Sequence, residues 1–533
     1  MNPMSSQFKT GEIIDVNAAS FDEMVKDEAF LKALGNRFAD FLPKKRWFGA
    51  KDDTIADVSF DYKIKLGDKA GTYLFVLCVT LKHAGKQQYQ VPLRAAFDAE
   101  AQKIIDTMPE QVVATVCYAG GWGVVFDAAG GEGFAGALLN MMENKIRTEQ
   151  ADGTVLTAGA TSKGENLIKR NRGAEQKMMS VEQSNTSIVI GKKMMLKIYR
   201  RVAVGKHPEV ATTSFLTETA GFKNTPAYLG VVELTLADGS PLALGILQEF
   251  VANEGDGWNY TLQYLKDFFA VAQEQNLGGS CHEQYLKLVR RLGERTADMH
   301  KAFAKGNDDV FAPVPVKPED LRAWKEQVNE QARKTFDTIN ANLDNLAGES
   351  KTLTRDLLEH WNLVTDGLDT LIPQYADGMK VRFHGDYHLG QVVLKDGDFY
   401  LLDFEGEPLR PLMERQIRHS VLKDVAGMVR SFDYAAFGAV LMFAVPEQRA
   451  YLIPLVADWR KQVTEAYLDS YFKNMEGSLC LPKDREDAEK LLSLFTMEKA
   501  LYEVVYELLN RPDWVSIPVN GVCRLINING ENR

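Results

Sequence analysis

Residues 381–408, VRFHGDYHLGQVVLKDGDFYLLDFEGEP, are the most informative segment of the sequence. It holds a His-Gly-Asp run ending at Asp386, then Gln391 five positions later, and then Asp403 in Asp-Phe-Glu-Gly. Between these runs, VVL and FYLL are typical of short strands, and the Asp-Gly pair in 395–398 favours a tight turn between them. A hairpin of this kind brings all three polar side chains to one end.

Phosphoryl transfer needs these residue types in this order. The protein-kinase pattern is H-x-D, an Asn five positions after that Asp, and then D-F-G. Here Gln391 replaces the Asn, and Glu405 is inserted into the last motif. One carboxylate orients the acceptor hydroxyl and takes its proton, which is the role predicted for Asp386. An oxygen-bearing side chain and a second carboxylate hold Mg²⁺ against the phosphates. The pattern therefore predicts Gln391 and Asp403 as metal ligands.

His384 and His388 have the four-residue spacing of a zinc-binding H-E-x-x-H helix. That motif requires a helix and a Glu between the histidines, whereas Gly385 and the neighbouring strand oppose a helix here. We expect His384 to brace the loop and leave the role of His388 open. Both are assigned to the acceptor side of the site.

A nucleotide site also needs a cation on the phosphates. The sequence contains neither G-x-x-x-x-G-K-[ST] nor a G-x-G-x-x-G at a strand–helix junction, which excludes the P-loop and the usual dinucleotide site. Lys197 in MMLKIYR lies on a predicted strand, as the V-A-I-K lysine does in kinases. Glu249 and Val251 lie where a hinge contacting the adenine would fall. The segment expected to cover the phosphates is a turn holding Ser184, Asn185, Thr186 and Ser187.

The composition is that of a globular chain of several domains, with 533 residues, 45% hydrophobic and 25% charged. A formal net charge of −11 argues against nucleic-acid binding, which needs basic surface. The five cysteines are scattered without a C-x-x-C, so neither disulfides nor structural zinc are expected. The apolar runs are too short to cross a bilayer. We expect a cytoplasmic protein without membrane or nucleic-acid partners.

Periodicity predicts an α+β fold of two lobes, with ligands in the cleft between them. Together with the kinase-like motifs of 381–408, this indicates a bilobal, protein-kinase-like fold. A β-rich N-terminal lobe carries an extra cap module, and the C-terminal lobe is mostly helical. The expected domains are a cap (1–110), a nucleotide-binding N-lobe (111–251) and a C-lobe (252–533). Predicted helices cover 21–42, 208–221, 260–275, 281–305, 318–347 and 351–372, with more to about 510. Predicted strands and hairpins cover 73–83, 87–93, 230–251 and 381–404, and residues 180–200 are predicted as a loop followed by a hairpin that turns at Gly191-Lys192.

Seven long motifs resemble the bacterial maltokinases, in the order of that family and over most of the chain. They are FLPKKRWFGAK (41–51), VEQSNTSIVIGKKMMLKIYRR (181–201), EFVANEGDGWNYTL (249–262), HGDYHLGQVVL (384–394), LLDFEGEPLRPLMER (401–415), LKDVAGMVRSFDYAA (422–436) and KALYEVVYELLNRPDW (499–514). The family shares its fold with aminoglycoside phosphotransferases and eukaryotic-like kinases. Some relatives are fused to trehalose synthase. We expect a stand-alone chain with a possible functional link to such an enzyme.

The resemblance implies ATP- and Mg²⁺-dependent phosphorylation of maltose at its anomeric hydroxyl, giving maltose 1-phosphate for α-glucan synthesis. It implies Asp386 as the base, Lys197 on the phosphates, and Glu405 close to the metal ligands. The sugar site is expected on the C-terminal helices, where paired rings suit the apolar faces of glucose and polar groups suit its hydroxyls. The candidates are Tyr502, Tyr506, Glu503, Arg430 and Asp433.

Two alternatives stay open at this stage. A kinase of the same fold could use another acceptor, such as glucosamine or an aminoglycoside, and a pseudokinase could bind nucleotide without chemistry. The family also places a Glu in the helix after the lysine strand, to pair with that lysine. We align Ala211 with this place, with Glu209 or Glu218 as possible substitutes.

Overall fold

A computed structural model describes residues 13–118, 120–130, 133–179, 184–275, 282–373, 375, 377–407 and 410–526. The chain divides into two compact units. Unit 1 runs to Ser214 and includes Pro226–Val251. Unit 2 comprises Phe215–Thr225 and the chain from Ala252 onward.

The strands lie mainly in unit 1, where they form two sheets. Their bounds are β1 Ile13–Asp15, β2 Ile55–Lys65, β3 Tyr73–Leu81, β4 Gly85–Phe97, β5 Val112–Tyr118, β6 Gly121–Asp127, β7 Arg147–Glu149, β8 Val155–Ala160, β9 Gln176–Met178, β10 Asn185–Ile190, β11 Met194–Tyr199, β12 Arg201–Val202, β13 Tyr228–Thr235, β14 Pro241–Glu249, β15 Val314–Pro315, β16 Met379–Lys380, β17 Val392–Lys395 and β18 Asp398–Leu401.

The helices lie mainly in unit 2. Their bounds are α1 Phe21–Met24, α2 Glu28–Phe41, α3 Asp98–Thr107, α4 Phe134–Asn144, α5 Ser162–Arg170, α6 Pro208–Ser214, α7 Gly257–Gln275, α8 Glu283–Phe303, α9 Pro318–Asn342, α10 Gly348–Glu359, α11 Trp361–Thr370, α12 Leu422–Phe443, α13 Pro446–Asn474, α14 Arg485–Asn510 and α15 Ser516–Leu525.

The first sheet of unit 1 has the order β1-β5-β6-β4-β3-β2, and β12 pairs with β4. The second has the order β7-β8-β13-β14-β11-β10-β9. Helix α2 packs on one face of the first sheet, where the aromatic rings of Phe38 and Phe75 are fully buried. The opposite face shares a core with the second sheet, because Leu74 and Val76 of β3 join Leu196 and Ile246 in one buried cluster. Apolar burial on both faces thus ties the two sheets together.

Sequence periodicity located most elements but missed several breaks. The predicted helix over 21–42 is two helices, because the Asp27 side chain accepts the Ala29 N–H at 2.8 Å and caps α2. The predicted helix over 351–372 is likewise divided, at His360. Strand β2 was not predicted, although its residues alternate between exposed and buried positions along part of its length.

The cysteines at 78, 117, 480 and 523 are free thiols, and Cys281 lies outside the described residues.

Helix α12 forms the centre of unit 2. It packs against α7, α13, α14 and α15. Its length and composition would suit a membrane span, but 72% of its apolar window is buried inside the protein. Because neighbouring helices already cover that surface, α12 has the character of a core helix.

Two glycines beside β13 allow a matched test of packing in unit 1. A Cβ at Gly164 would lie 2.2 Å from the Leu229 carbonyl oxygen, whereas a Cβ at Gly159 meets nothing within 4 Å. We expect Gly164→Ala to destabilise the protein by about 1–3 kcal/mol, because rigid backbone must move. Gly159→Ala should be neutral or slightly stabilising. Urea unfolding of both variants checks this, and equal midpoints would contradict the close approach.

Candidate active site

The hairpin predicted after Asp386 is present in unit 2. Strands β17 and β18 pair antiparallel, with Lys395 opposite Asp398. Asp396 and Gly397 between them have φ of 52° and 72°, the left-handed conformation that two-residue hairpin turns require. At the open end, the Leu402 N–H donates to the Gln391 carbonyl at 2.9 Å. Two predicted metal ligands, Gln391 and Asp403, therefore leave the hairpin at the same end.

Asp403 has φ of 63°, which is uncommon for a residue with a side chain. Such a conformation costs about 1–3 kcal/mol and persists where surrounding structure enforces it. Glu405 follows and is buried. An aspartate held in a strained conformation beside a second carboxylate is the kind of arrangement found at functional sites.

The loop carrying Asp386 is held by a carboxylate that sequence reasoning missed. Asp424, at the start of α12, accepts the His384 N–H at 2.7 Å and the Gly385 N–H at 2.9 Å. His300 Nε2 lies 3.2 Å from the same carboxylate, and Tyr471 contacts the other nitrogen of that ring at 2.9 Å. These partners satisfy a carboxylate that is only 2% exposed. The loop backbone is thereby fixed immediately before Asp386.

His384 braces the loop, as predicted from its position. Its Nε2 lies 2.8 Å from the Leu402 carbonyl, and its Nδ1 is 3.4 Å from the Asp386 backbone nitrogen. His388 turns its Nδ1 to the Gly390 N–H at 3.0 Å. Burial lowers the pKa of His388, although the Asp386 carboxylate opposes this shift. His388 therefore interacts electrostatically with the Asp386 carboxylate.

A second group missed by sequence reasoning is an ion cluster that joins Lys499 of α14 to Glu407 and Arg410, which follow the hairpin. Lys499 Nζ lies 3.4 Å from Glu407 Oε1, and Arg410 Nε lies 2.6 Å from Glu407 Oε2. Burial would lower the pKa of Lys499, but the carboxylates of Glu407, Glu503 and Asp386 outweigh it and raise that pKa. Lys499 therefore stays cationic near the proposed base.

A polar cavity of about 270 Å³ adjoins this cluster. Arg410 belongs to both, and the cavity is lined by Gln327, Glu330, Gln331, Lys334, Arg410 and Glu498. A larger cavity of about 520 Å³ lies along α8 and α13 and contains none of the predicted site residues in its lining. The smaller cavity is thus the one placed to extend the site.

The five predicted sugar-binding residues separate into two environments. Tyr502 and Tyr506 are 38% and 42% exposed on α14, so both rings are accessible to a ligand. Arg430 and Asp433 are instead buried on α12. Arg430 pairs with Asp433, and its Nε lies 2.7 Å from Glu503. Asp433 Oδ2 also lies 2.7 Å from Arg524 Nη2. The two carboxylates therefore face two cations, and Arg430 braces α12 against α14 through Glu503.

In unit 1, the structure settles which residue pairs with Lys197. Lys197 Nζ lies 3.1 Å from Glu209 Oε2, and the Tyr199 hydroxyl donates to the same oxygen at 2.8 Å. Alignment of Ala211 with the lysine partner was therefore wrong, and the substitute Glu209 is correct. Helix α6 begins at Pro208, so Glu209 occupies its first turn, where a carboxylate is favourable.

The predicted phosphate-covering turn is mostly strand. Asn185, Thr186 and Ser187 lie in β10 with buried side chains, and only Ser184 of this group is exposed. The prediction of a turn failed because the β-branched run that follows extends the strand towards the N-terminus. Glu249 ends β14 and pairs with Lys163 at 2.6 Å, and Val251 closes unit 1.

Comparison with known proteins finds similarity to sugar kinases. Residues 41–130 match the maltokinase N-terminal cap domain. A glucosamine kinase from Streptacidiphilus jiangxiensis is 25% identical over 386 residues, covering 70% of this chain and 81% of the relative. A glucosamine kinase from Mycolicibacterium smegmatis is 26% identical over 396 residues, covering 73% and 87%.

A solved glucosamine kinase in complex with glucosamine, ADP and inorganic phosphate matches with a TM-score of 0.60 at 21% identity, over 92% of this chain and 99% of that one. Its likeness confirms the predicted kinase-like α+β fold, with sheet-rich N-terminal and helical C-terminal parts. Together with the cap match, it supports the resemblance to maltokinase-like kinases.

Replacing Asp424 with Asn tests the loop clamp. The side-chain oxygen of Asn still accepts a hydrogen bond from one backbone N–H. Its NH₂ group, however, then faces the second backbone N–H, and two donors cannot bond to each other. We therefore expect a loss of about 2–4 kcal/mol in the free energy of unfolding. Urea unfolding measures it. Asp458→Asn, an exposed carboxylate on α13, is the control and should change stability little. Equal stability of the two variants would contradict the clamp.

Proposed function

We propose that this maltokinase-like chain is an ATP-dependent sugar kinase that phosphorylates maltose at its anomeric hydroxyl, giving maltose 1-phosphate and ADP. One observation carries the proposal: the clamped loop and the β17–β18 hairpin present Asp386, Gln391 and Asp403 in the order and local setting that phosphoryl transfer requires. The presence of all three residues argues against a pseudokinase, because a protein without phosphotransferase activity does not need them.

Asp386 acts as the base in this reaction. Its carboxylate accepts the proton of the sugar hydroxyl as that oxygen attacks the γ-phosphorus of ATP. The bond from the γ-phosphorus to the β–γ bridging oxygen then breaks, and ADP leaves. Holding the loop rigid through Asp424 limits the motions that would misplace the base.

The oxygen-rich donor set fits Mg²⁺, which prefers carboxylate and carbonyl ligands. Asp403 and Gln391 would hold the ion, with Glu405 as a further carboxylate nearby. When bound, it neutralises charge on the transferring phosphate. Lys197 supplies a protein cation for the nucleotide phosphates, and Glu209 restrains its ammonium group.

The acceptor site is proposed around α14. Tyr502 and Tyr506 offer accessible rings for the apolar faces of a sugar. The polar cavity beyond Arg410 offers hydrogen-bonding groups for a second ring, which favours a disaccharide.

Glucosamine remains the alternative acceptor because the curated relatives carry that name. The reaction is assigned to the cytoplasm, where ATP is available. A functional link to a trehalose synthase stays a prediction. Incubation with ATP and a panel of sugars, with product identification by ³¹P NMR, decides the acceptor. Phosphorylation of glucosamine but not maltose would replace the proposed substrate.

Asp386→Asn should fold normally but lose roughly 10²–10⁴ in kcat, the usual scale for removal of a general base. Asp396→Asn is its control. That exposed turn residue has a left-handed backbone which Asn also tolerates, so its activity should be unchanged. Coupled measurement of ADP release gives both rates. Near-normal turnover of Asp386→Asn would remove the base from the mechanism.

Tyr502→Ala should raise the KM for the sugar about 3- to 10-fold, with the KM for ATP unchanged, since it removes one stacking ring. Tyr375→Ala, which truncates a tyrosine that is 67% exposed elsewhere in unit 2, is the matched control. Initial rates at varied sugar and varied ATP separate the two constants. An equal effect of both substitutions would count against a sugar site on α14.

A further inference from the structure

Arg200 lies at the point where the chain passes from one sheet of unit 1 to the other. It follows β11 of the second sheet and precedes β12, which pairs with β4 of the first. Its guanidinium is buried, with 2% of the residue exposed. Nε donates to the Thr186 hydroxyl of β10 at 2.8 Å, and Nη2 lies 2.9 Å from Asp127 Oδ2. One side chain thus joins strands of both sheets.

The partners on the first sheet belong to the segment that matches the maltokinase cap, residues 41–130. Asp127 ends β6, and its Oδ1 accepts the Ala129 N–H at 3.0 Å. The ring of Trp47 lies 4.8 Å from the guanidinium carbon, within range of a cation–π contact. The backbone also joins them, because the Gln90 N–H donates to the Arg200 carbonyl at 2.7 Å. The cap therefore holds both the backbone carbonyl and the guanidinium of Arg200.

The charge balance around Asp127 makes this junction sensitive to change. Asp127 is only 1% exposed, and its one ion pair among the described contacts is with Arg200 at 2.9 Å. The pKa of the buried Lys45 is lowered by burial, and the charge of Asp127 opposes this shift whereas that of Arg200 adds to it. Because a buried charge is stable only when paired, loss of the Asp127 charge would remove the ion-pair partner that holds the Arg200 guanidinium near Thr186.

The far end of Arg200 reaches the strands assigned to the nucleotide. Thr186 is opposite Ile198 in the β10–β11 register, and Ser187 is opposite Lys197. Ser184, the exposed member of the predicted phosphate-covering group, lies two residues before Thr186. The Thr186 hydroxyl itself is buried against Arg200. It is therefore placed to fix β10, and not to contact a ligand directly.

We propose that Arg200 is a positioning residue through which the cap sets the affinity for ATP. Cap groups Trp47 and Asp127 hold the guanidinium, which in turn fixes β10 beside the Lys197 strand. The inference rests on the proposed function, in which these strands bind the nucleotide phosphates. In this proposal the cap influences ATP binding through Arg200, without contacting either substrate.

Asp127→Asn tests this coupling from within the cap. We expect the KM for ATP, and the Kd for a non-hydrolysable ATP analogue with Mg²⁺, to rise at least about 5-fold. The KM for the sugar should stay within about 2-fold. Asp53→Asn is the control, since that cap carboxylate bonds instead to Thr54, His83 and Ala84. A purely structural role predicts a lower melting temperature with unchanged ATP affinity in the folded variant, and that result would overturn the proposal.

Thr186→Val and Thr186→Ser provide a second test that removes no buried charge. Val deletes the hydroxyl that accepts from Arg200, whereas Ser retains it, so only Val should weaken binding of the ATP analogue in calorimetry. Equal affinities of the two variants and wild type would contradict the coupling. Wild-type protein that binds no Mg²⁺–ATP analogue at all would instead refute the proposed kinase function, so the two failures are distinguishable.

Discussion

The hydrogen bonds from two backbone N–H groups to the Asp424 carboxylate are the constraint on which the candidate active site depends. Bonds between a charged acceptor and backbone donors are about twice as strong as neutral ones, and here they are shielded from water. His300 Nε2 lies 3.2 Å from one oxygen of the same carboxylate. The central helix α12 therefore fixes the catalytic loop, and the loop fixes the hairpin through His384 and Leu402.

Local sequence patterns located the hairpin and its motifs because each is encoded within a few residues. The Asp396-Gly397 pair has the conformation that its turn requires, and the spacing of Gln391 and Asp403 places them at one end. No local sequence pattern predicts that Asp424 or Lys499 lies near Asp386. Each lies there because a helix distant in sequence packs beside the loop. Lys197 was found from its strand, but its partner was misplaced by two residues until the first turn of α6 was known.

Residue type alone also could not distinguish side chains that are accessible to a sugar from side chains that are buried in structural ion pairs. Arg430, Asp433 and Glu503 are polar groups suited to sugar hydroxyls, yet they form ion pairs with one another inside unit 2. The tyrosines on α14 share the same periodicity and remain accessible. The difference arises from the rotation of each helix relative to its neighbours, which depends on packing across the whole unit. Thr186 and Ser187 show the same effect, because a strand buries hydroxyls that a turn would have exposed.

The pairing of β12 with β4 has a consequence for how this architecture can be inherited. The first sheet takes a strand from the chain that follows the lysine strand, long after residue 130. A gene fragment encoding only the cap would leave Gln88 and Tyr89 of β4 without their β12 partners on that side, and a chain lacking the cap would leave Arg201 and Val202 without theirs. Exposed strand edges promote association with other chains. Recombination that moves the cap as a portable module is therefore disfavoured, and the two segments are expected to diverge together along a lineage.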